Sequence, residues 1–344
     1  MVTMRDVAEL AGVSITTVSH VVNKTRPVAQ STAERVLAAV ESTGYTGDAI
    51  ARSLVTGGTR SIGLALPLTG DPQLMALLRA VDAELNAAGH TLILADTHDQ
   101  PETETAAIRS LRSRRVDGVL LTPSPGAPEL VLPELRRAGV PTVLLGRLPE
   151  NTGIDQVGPE NVQATSDLVR HLGELGHRRI ALVTGPDGVS TAAERALGYR
   201  LGLGRAKLVW DSELVASVPT EDSASAMERL LDLPGPPTAV VAGDHPALVG
   251  VLRAARRRGL RVGTDLALVA HEDVDWGDLL DPPITATAQP VAEIGRTAVR
   301  MLLERIADPE RAPRTVRLPP TLVHRQSCGC SHQPIPDQHT RQEP

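Results

Sequence analysis

Between Ala11 and Arg26 the chain reads "AGVSITTVSHVVNKTR". If this is a helix with Val18, Val21 and Val22 turned inward, the 3.6-residue period leaves Ile15, Thr16, Thr17, Ser19, His20 and Asn23 on the outer face. Short hydroxyls, one amide and one imidazole on such a face do the chemistry of hydrogen bonding. They fit a major groove, where they reach base edges and thymine methyls. The helix N-terminus at Ser14 adds free N–H groups for a phosphate and needs no formal positive charge to do so. A small helical bundle that binds protein is the competing reading of the same pattern.

No covalent chemistry competes with this. The chain has no phosphate-loop Gly-Lys-Ser/Thr pattern, no Gly-x-Gly-x-x-Gly after its first strand and no Gly-x-Ser-x-Gly elbow. His171 and His177 fall at expected helix ends, where a solvated imidazole is the ordinary case. The two cysteines, Cys328 and Cys330, have His324 and His332 nearby, but the spacing matches none of the usual zinc patterns. The segment 327–344 is therefore read as a disordered tail, with no metal and no cofactor expected.

The elements that must position the outer face are marked by dense helix punctuation. Thr3 and Asp6 approximate a capping box that opens a first helix, and Gly12 stops it. Ser14 opens the second helix, and Ser31 with Glu34 marks a third that ends at Gly44. From Arg60 onward apolar runs alternate with amphipathic helices. Strands are expected at "SIGLALP", "TLILADT", "GVLLTPS", "PTVLLGR", "RIALVTGP", "ELVASV", "TAVVAGD", "LALVAHE" and "TATAQP". Helices are expected at 74–88, 102–114, 161–175, 193–203, 224–231, 246–257 and 291–307. Doubly buried strands separated by helices predict parallel α/β sheets, and their number calls for two lobes with a ligand crevice at the strand carboxyl ends.

Composition places limits on the whole. At 344 residues the chain exceeds one typical domain. No apolar run approaches the roughly 18 residues of a membrane span. Arg5, Asp6 and Glu9 stand where a secretion signal would need an apolar core, so a cytoplasmic protein is expected. The net charge is -6, yet the first sixty residues hold six basic against five acidic side chains, while the remainder holds 29 against 36. The acidity thus lies outside the helical segment and does not argue against a polyanionic partner there.

The run "TMRDVAELAGVSITTVSHVVNKTRPVAQSTAERVLAAVESTGY" resembles the DNA-binding headpiece of the LacI-type (lactose-repressor/galactose-repressor) transcription regulators, and most of all that of the purine-repressor type. The likeness continues through "AIARSL", "RSIGLALP", "RRVDGVLLTPS", "LGHRRIALVTGP", "TAAERALGYR", "DLALVAHED", "PPITATAQP" and "EIGRTA". It implies a helix-turn-helix headpiece (1–46), a hinge helix or linker (47–59), and a two-lobed periplasmic-binding-protein-like α/β effector domain (60–326). The N-lobe would comprise about 60–158 with 290–326, and the C-lobe about 159–289. It further implies a repressor, not an enzyme, that binds a pseudo-palindromic operator in double-stranded DNA as a homodimer, with higher assembly left open. A small-molecule effector, a sugar or another polar metabolite, would modulate its affinity. A solute-binding or sugar-metabolising protein on the same lobes is the alternative, and it predicts a secretion signal or a catalytic motif.

On this resemblance the DNA contacts fall to Thr3, Ser14, Ile15, Thr16, Thr17, His20, Asn23 and Arg26, with Leu54 as the hinge leucine wedged into the minor groove. About eight hinge residues are too few for a stable isolated helix, so folding on the operator is expected. Gly47-Asp48 replaces the family's common Pro-Asn, and Val55 a basic residue found in some relatives. A passive tether is the alternative reading of the segment. The effector would meet Asp71, Gln73, Thr191, Arg195, Asp244 and Glu272, for each of which an ordinary salt bridge or surface role is the alternative. The family's stacking aromatics are replaced by Gln73 and Leu74, its acidic residue after "VLL" by Gly146, and Trp276 is the ring expected to compensate.

Overall fold

The computed structural model describes residues 2–23, 26–45, 58–68 and 72–330. Leu54 and the hinge around it, Asp71 and His332 lie outside the described residues. The chain divides into two compact units, an N-terminal one ending at Ser61 that also takes in Arg115–Asp117, and a larger one.

The N-terminal unit is built on helices α1 (Met4–Ala11), α2 (Ile15–Asn23) and α3 (Gln30–Thr43). The capping box forms as expected: the Thr3 hydroxyl accepts from the Asp6 N–H, and the Asp6 carboxylate accepts from the Thr3 N–H at 2.7 Å. Gly12 and Gly44 end α1 and α3 in the left-handed region. The helix start expected at Ser31 with Glu34 does not form. Helix α3 starts at Gln30, its N-cap is Ala29 without a side-chain bond, and Gln30 Nε2 donates to Glu34 instead. Val7, Ala11, Val18, Val36 and Tyr45 make the small core, with Val21 and Val22 packed against it.

The larger unit holds two six-stranded sheets. The first comprises β1 (Ser61–Leu66), β2 (Thr91–Asp96), β3 (Gly118–Leu121), β4 (Thr142–Leu145), β5 (Asp155–Pro159) and β11 (Thr315–Leu318), in the order β11-β5-β4-β3-β1-β2. Its registered pairs are parallel, with Leu64 opposite Leu120 and Val157 opposite Val316. The second comprises β6 (Ile180–Thr184), β7 (Val215–Ser217), β8 (Ala239–Ala242), β9 (Ala267–Ala270), β10 (Thr285–Ala288) and β12 (Thr321–Val323), in the order β12-β10-β9-β8-β6-β7. Only β12 runs antiparallel among its registered pairs, Ala286 opposite Val323. Strands such as "GVLL" and "AVVA" are buried at every position, which is why they read as continuous apolar runs.

Helices α4 (Leu74–Ala87), α5 (Pro101–Ser113), α6 (Pro128–Arg137) and α11 (Val291–Ala307) belong with the first sheet, and α7 (Asn161–Glu174), α8 (Ser190–Arg205), α9 (Ser223–Leu231) and α10 (His245–Arg257) with the second. Helix α6 was not expected because Pro128 and Pro133 break its pattern, although a proline in the first turn is harmless. Strand β5, "DQVGP", is not expected from sequence because Asp, Gly and Pro are depleted in strands. It is buried nonetheless, since Asp155 accepts from Arg305 Nε and from the Arg314 N–H, each at 2.9 Å.

The chain passes between the lobes at 160, 289–290 and 319–320. The last crossing corrects the expected boundaries. Strand β12 joins the second sheet, so 321–326 belong to the C-lobe and not to the N-lobe. The expected disorder from 327 onward is likewise overturned for the first four residues. Ser327 and Cys328 are fully buried, and the Leu268 N–H donates to the Ser327 carbonyl at 2.8 Å.

Candidate functional site

On α2, Ser14 is the residue that sets the helix start, its Oγ accepting from the Thr17 N–H at 3.1 Å and pairing with Thr17 Oγ1 at 2.9 Å. Ile15 and Thr16 are exposed on the first turn, Thr17 and His20 are half-buried, and Asn23 is the last residue of the helix. Arg26 is exposed between α2 and α3, and Thr3 is exposed but has its hydroxyl engaged in the cap of α1. Ile15 is left 46% exposed on a helix whose opposite side is core.

In the larger unit the carboxyl ends of both sheets surround a crevice of about 980 Å³. Its walls include Gln73, Thr191, Arg195, Asp244 and Glu272, five of the residues singled out in the sequence. Trp276 is not in the wall. Its ring packs against the second-sheet core and meets the His245 imidazole edge-on at 6.0 Å between centroids. The expected compensation for the lost aromatics is thus not made by Trp276 directly, and His245 carries the one aromatic ring among the described lining residues.

Arg195 is held by the way α8 packs. At Gly198 an added Cβ would lie 2.3 Å from the Val162 carbonyl oxygen, so glycine permits α8 to lie against α7. Tyr199 then fills the core and its hydroxyl donates to the Ile180 carbonyl at 2.7 Å. This leaves Arg195, 7% exposed, at the crevice edge of the helix. Its Nη2 donates to Glu272 Oε1 at 2.9 Å, and Nη1 stands 3.9 Å from Asp244 Oδ2. Both carboxylates are themselves fixed at the N-terminus of α10: Asp244 Oδ1 accepts from the Ala247 N–H at 2.8 Å, and Glu272 Oε2 from the His245 N–H at 3.1 Å. Arg195 Nε is enclosed without a hydrogen-bond partner. A buried guanidinium N–H facing no acceptor is expensive, and a ligand oxygen would satisfy it.

Sequence reasoning missed the opposite wall. Arg147, at the end of β4, pairs with Asp99 through both terminal nitrogens, Nη2 lying 3.0 Å from Oδ2, and it also donates to the Pro123 carbonyl. The arginine closing "VLLGR" was the available signal. Gln289 lines the crevice where the chain crosses between lobes, and its Nε2 donates to the His271 carbonyl at 2.9 Å. Burial, and then the Arg195 charge, push the His271 imidazole well below its ordinary range, so it is neutral there.

Residues 3–48 match the model of the bacterial regulatory proteins of the lacI family, and residues 169–328 match that of the periplasmic binding protein-like domain. The transcriptional repressor PurR of Vibrio atlanticus is 32% identical over 329 residues, covering 95% of this chain and 98% of the relative. The chain belongs to the LacI family. The ribose operon repressor of Escherichia coli is 33% identical over 333 residues, covering 95% of this chain and all (100%) of that one. Among solved structures, the lac repressor dimer bound to operator and the anti-inducer ONPF superposes with a TM-score of 0.84 at 28% identity, covering 95% and 99% of the two chains. The CelR–cellobiose complex gives 0.71 at 30% identity, covering 95% and 100%.

Membership of the LacI family makes this chain a DNA-binding transcription regulator and not an enzyme. Its headpiece is the family's helix-turn-helix, and its two sheets are the two lobes of the periplasmic-binding-protein-like fold. Among the described residues no helix is long and apolar enough to cross a membrane.

Proposed function

We propose that this LacI-family protein is a cytoplasmic homodimeric repressor whose hold on a pseudo-palindromic operator is set by a neutral, polyhydroxylated small molecule. The observation that carries the effector reading is the enclosed Arg195 Nε without a partner, beside two carboxylates that are already oriented. Hydroxyl groups meet such a set from both sides, accepting from the guanidinium and donating to Asp244 and Glu272. An anionic ligand is disfavoured. Among the described lining residues Asp99, Glu221, Asp244 and Glu272 outnumber Arg147, Arg195 and Arg253. That relatives include a ribose operon repressor and a cellobiose complex agrees with a sugar.

For DNA, Ile15, Thr16, Thr17 and His20 are the base-reading residues, and Ser14, Asn23, Arg26 and the α1 N-terminus around Thr3 position the phosphates. Two symmetric headpieces require half-sites about one helical turn apart, or a multiple of it. Ligand closure of the lobes would act at the three inter-lobe passages, which are the segments that change when two rigid sheets move.

Selection of bound oligonucleotides from a random pool, followed by a thermal-shift screen of sugars, nucleosides and small acids, tests both halves. A palindrome should be enriched, and a neutral sugar should raise the melting temperature and change affinity for that palindrome. Enrichment of no palindrome overturns the operator reading. Stabilisation by acids alone overturns the effector reading.

A further inference from the structure

Outside the crevice and the headpiece, four metal-ligating side chains from two distant segments converge in the C-lobe. His171 sits in the last turn of α7, and His324, Cys328 and Cys330 come from the segment after β12. One ligand atom from each lies within 4.8 Å of all the others. Cys330 Sγ is 3.0 Å from both His324 Nε2 and Cys328 Sγ, and Cys328 Sγ is 3.5 Å from His324 Nε2. The two imidazoles stand edge to face, 5.0 Å between centroids. His171 Nε2 is enclosed and meets no hydrogen-bond partner of normal geometry.

We propose that His171, His324, Cys328 and Cys330 form a structural site for a soft d10 cation, zinc being the probe, which ties the end of the fold to α7. The donor set is the two-thiolate, two-imidazole set of closed zinc sites. Tetrahedral bonds of about 2.3 Å to sulfur and about 2.0 Å to nitrogen place neighbouring ligand atoms roughly 3.3 to 3.8 Å apart. Two of the measured separations are shorter by less than 1 Å and one falls in that range, and the His171 ligand atom lies within 4.8 Å of the other three.

The surroundings are fixed independently of any metal. Ser327 Oγ donates to the Leu268 carbonyl at 2.6 Å and accepts from the Thr285 N–H at 2.8 Å, which locks the turn onto β9 and β10. Gly329, at φ +79°, sits where an added Cβ would be 2.9 Å from the Gly263 oxygen, and this backbone brings both flanking sulfurs to one side. The sequence pattern places His324 and His332 near the cysteines and gives no hint of His171, which lies more than 150 residues from them.

The test uses the full chain, reduced and stripped by chelator, then titrated with zinc against a chromophoric competitor and, separately, with cobalt. One zinc per chain, a cobalt spectrum with thiolate charge-transfer bands, and a higher melting temperature with zinc but not magnesium are the expected results. His171→Gln and Cys330→Ser should each weaken zinc binding by about 100-fold or more and remove the zinc-dependent rise in melting temperature. In chelator these variants should melt close to the parent, which separates lost metal from lost fold. Absence of micromolar binding, a cobalt spectrum without thiolate bands, or unchanged affinity in His171→Gln would overturn the site.

Discussion

Arg195 and Glu272 are joined by a 2.9 Å hydrogen bond at the rim of the crevice, although 76 residues separate them in sequence. Glu272 thereby holds the guanidinium through one nitrogen while Nε stays open. In the function proposed above, the pair is a preformed half of the effector site, because neither charge has to be recruited when a ligand arrives.

Replacing Arg195 with lysine keeps the charge near Glu272 and Asp244 and removes the planar fork. We expect Arg195→Lys to bind operator within about twofold of the parent and to lose roughly 10- to 100-fold in effector affinity, equivalent to about 1.4 to 2.8 kcal/mol. Calorimetric titration of the effector and gel shifts with and without it check both numbers. Equal effector affinity in the two proteins would remove Arg195 from the site.

The headpiece separates specific from non-specific binding. Thr16→Ala takes a hydroxyl and a methyl from an exposed position without touching the core of Val7, Val18 and Val36. About 1 kcal/mol of operator affinity should be lost, with the slope of affinity against salt unchanged. Leu54→Ala, in the hinge, should weaken operator binding further while leaving dimer and fold intact. Fluorescence anisotropy on operator and on scrambled DNA between about 50 and 200 mM salt distinguishes the two cases. Equal losses on both DNAs would mean that neither residue reads sequence.

Glu104 offers a pH test of stability. It is buried, and its Oε2 accepts from the Ser124 N–H. Burial pushes its carboxyl above the ordinary range, against hydrogen bonds from Ser124 and the Arg147 charge. A raised carboxyl pKa in the folded state means that folding takes up a proton, so this group's contribution to stability falls as pH rises through and above the unfolded value of 4.5. Glu104→Gln keeps the bond to the Ser124 N–H and removes the buried charge. It should stabilise the protein at pH 7 by on the order of 1 kcal/mol and lessen the pH dependence above about 4.5. Chemical denaturation at several pH values measures this, and a loss of stability at pH 7 would show that the charged form is preferred.

Much of the architecture was legible because its causes are local. The Thr3–Asp6 cap, the Ser14 helix start and the all-buried strands follow from hydrogen bonding within a turn and from apolar periodicity, which any window of the chain displays. The charge split and the family motifs pointed to the same headpiece and crevice. Strand β5 and helix α6 were hidden because Asp155 in the one and Pro133 in the other violate local propensity, and packing outweighs it in both. Trp276 is expected at the crevice as a ring in place of the lost aromatics, but its side chain packs against the second-sheet core.

The pairing of Arg147 with Asp99 and the convergence of His171 on the two cysteines were decided only by the tertiary structure. Residue types and spacing determine what each segment does with its neighbours in sequence. Which side chains meet across 48 or 157 residues depends on how the sheets twist and the helices dock, a property of the whole packed chain.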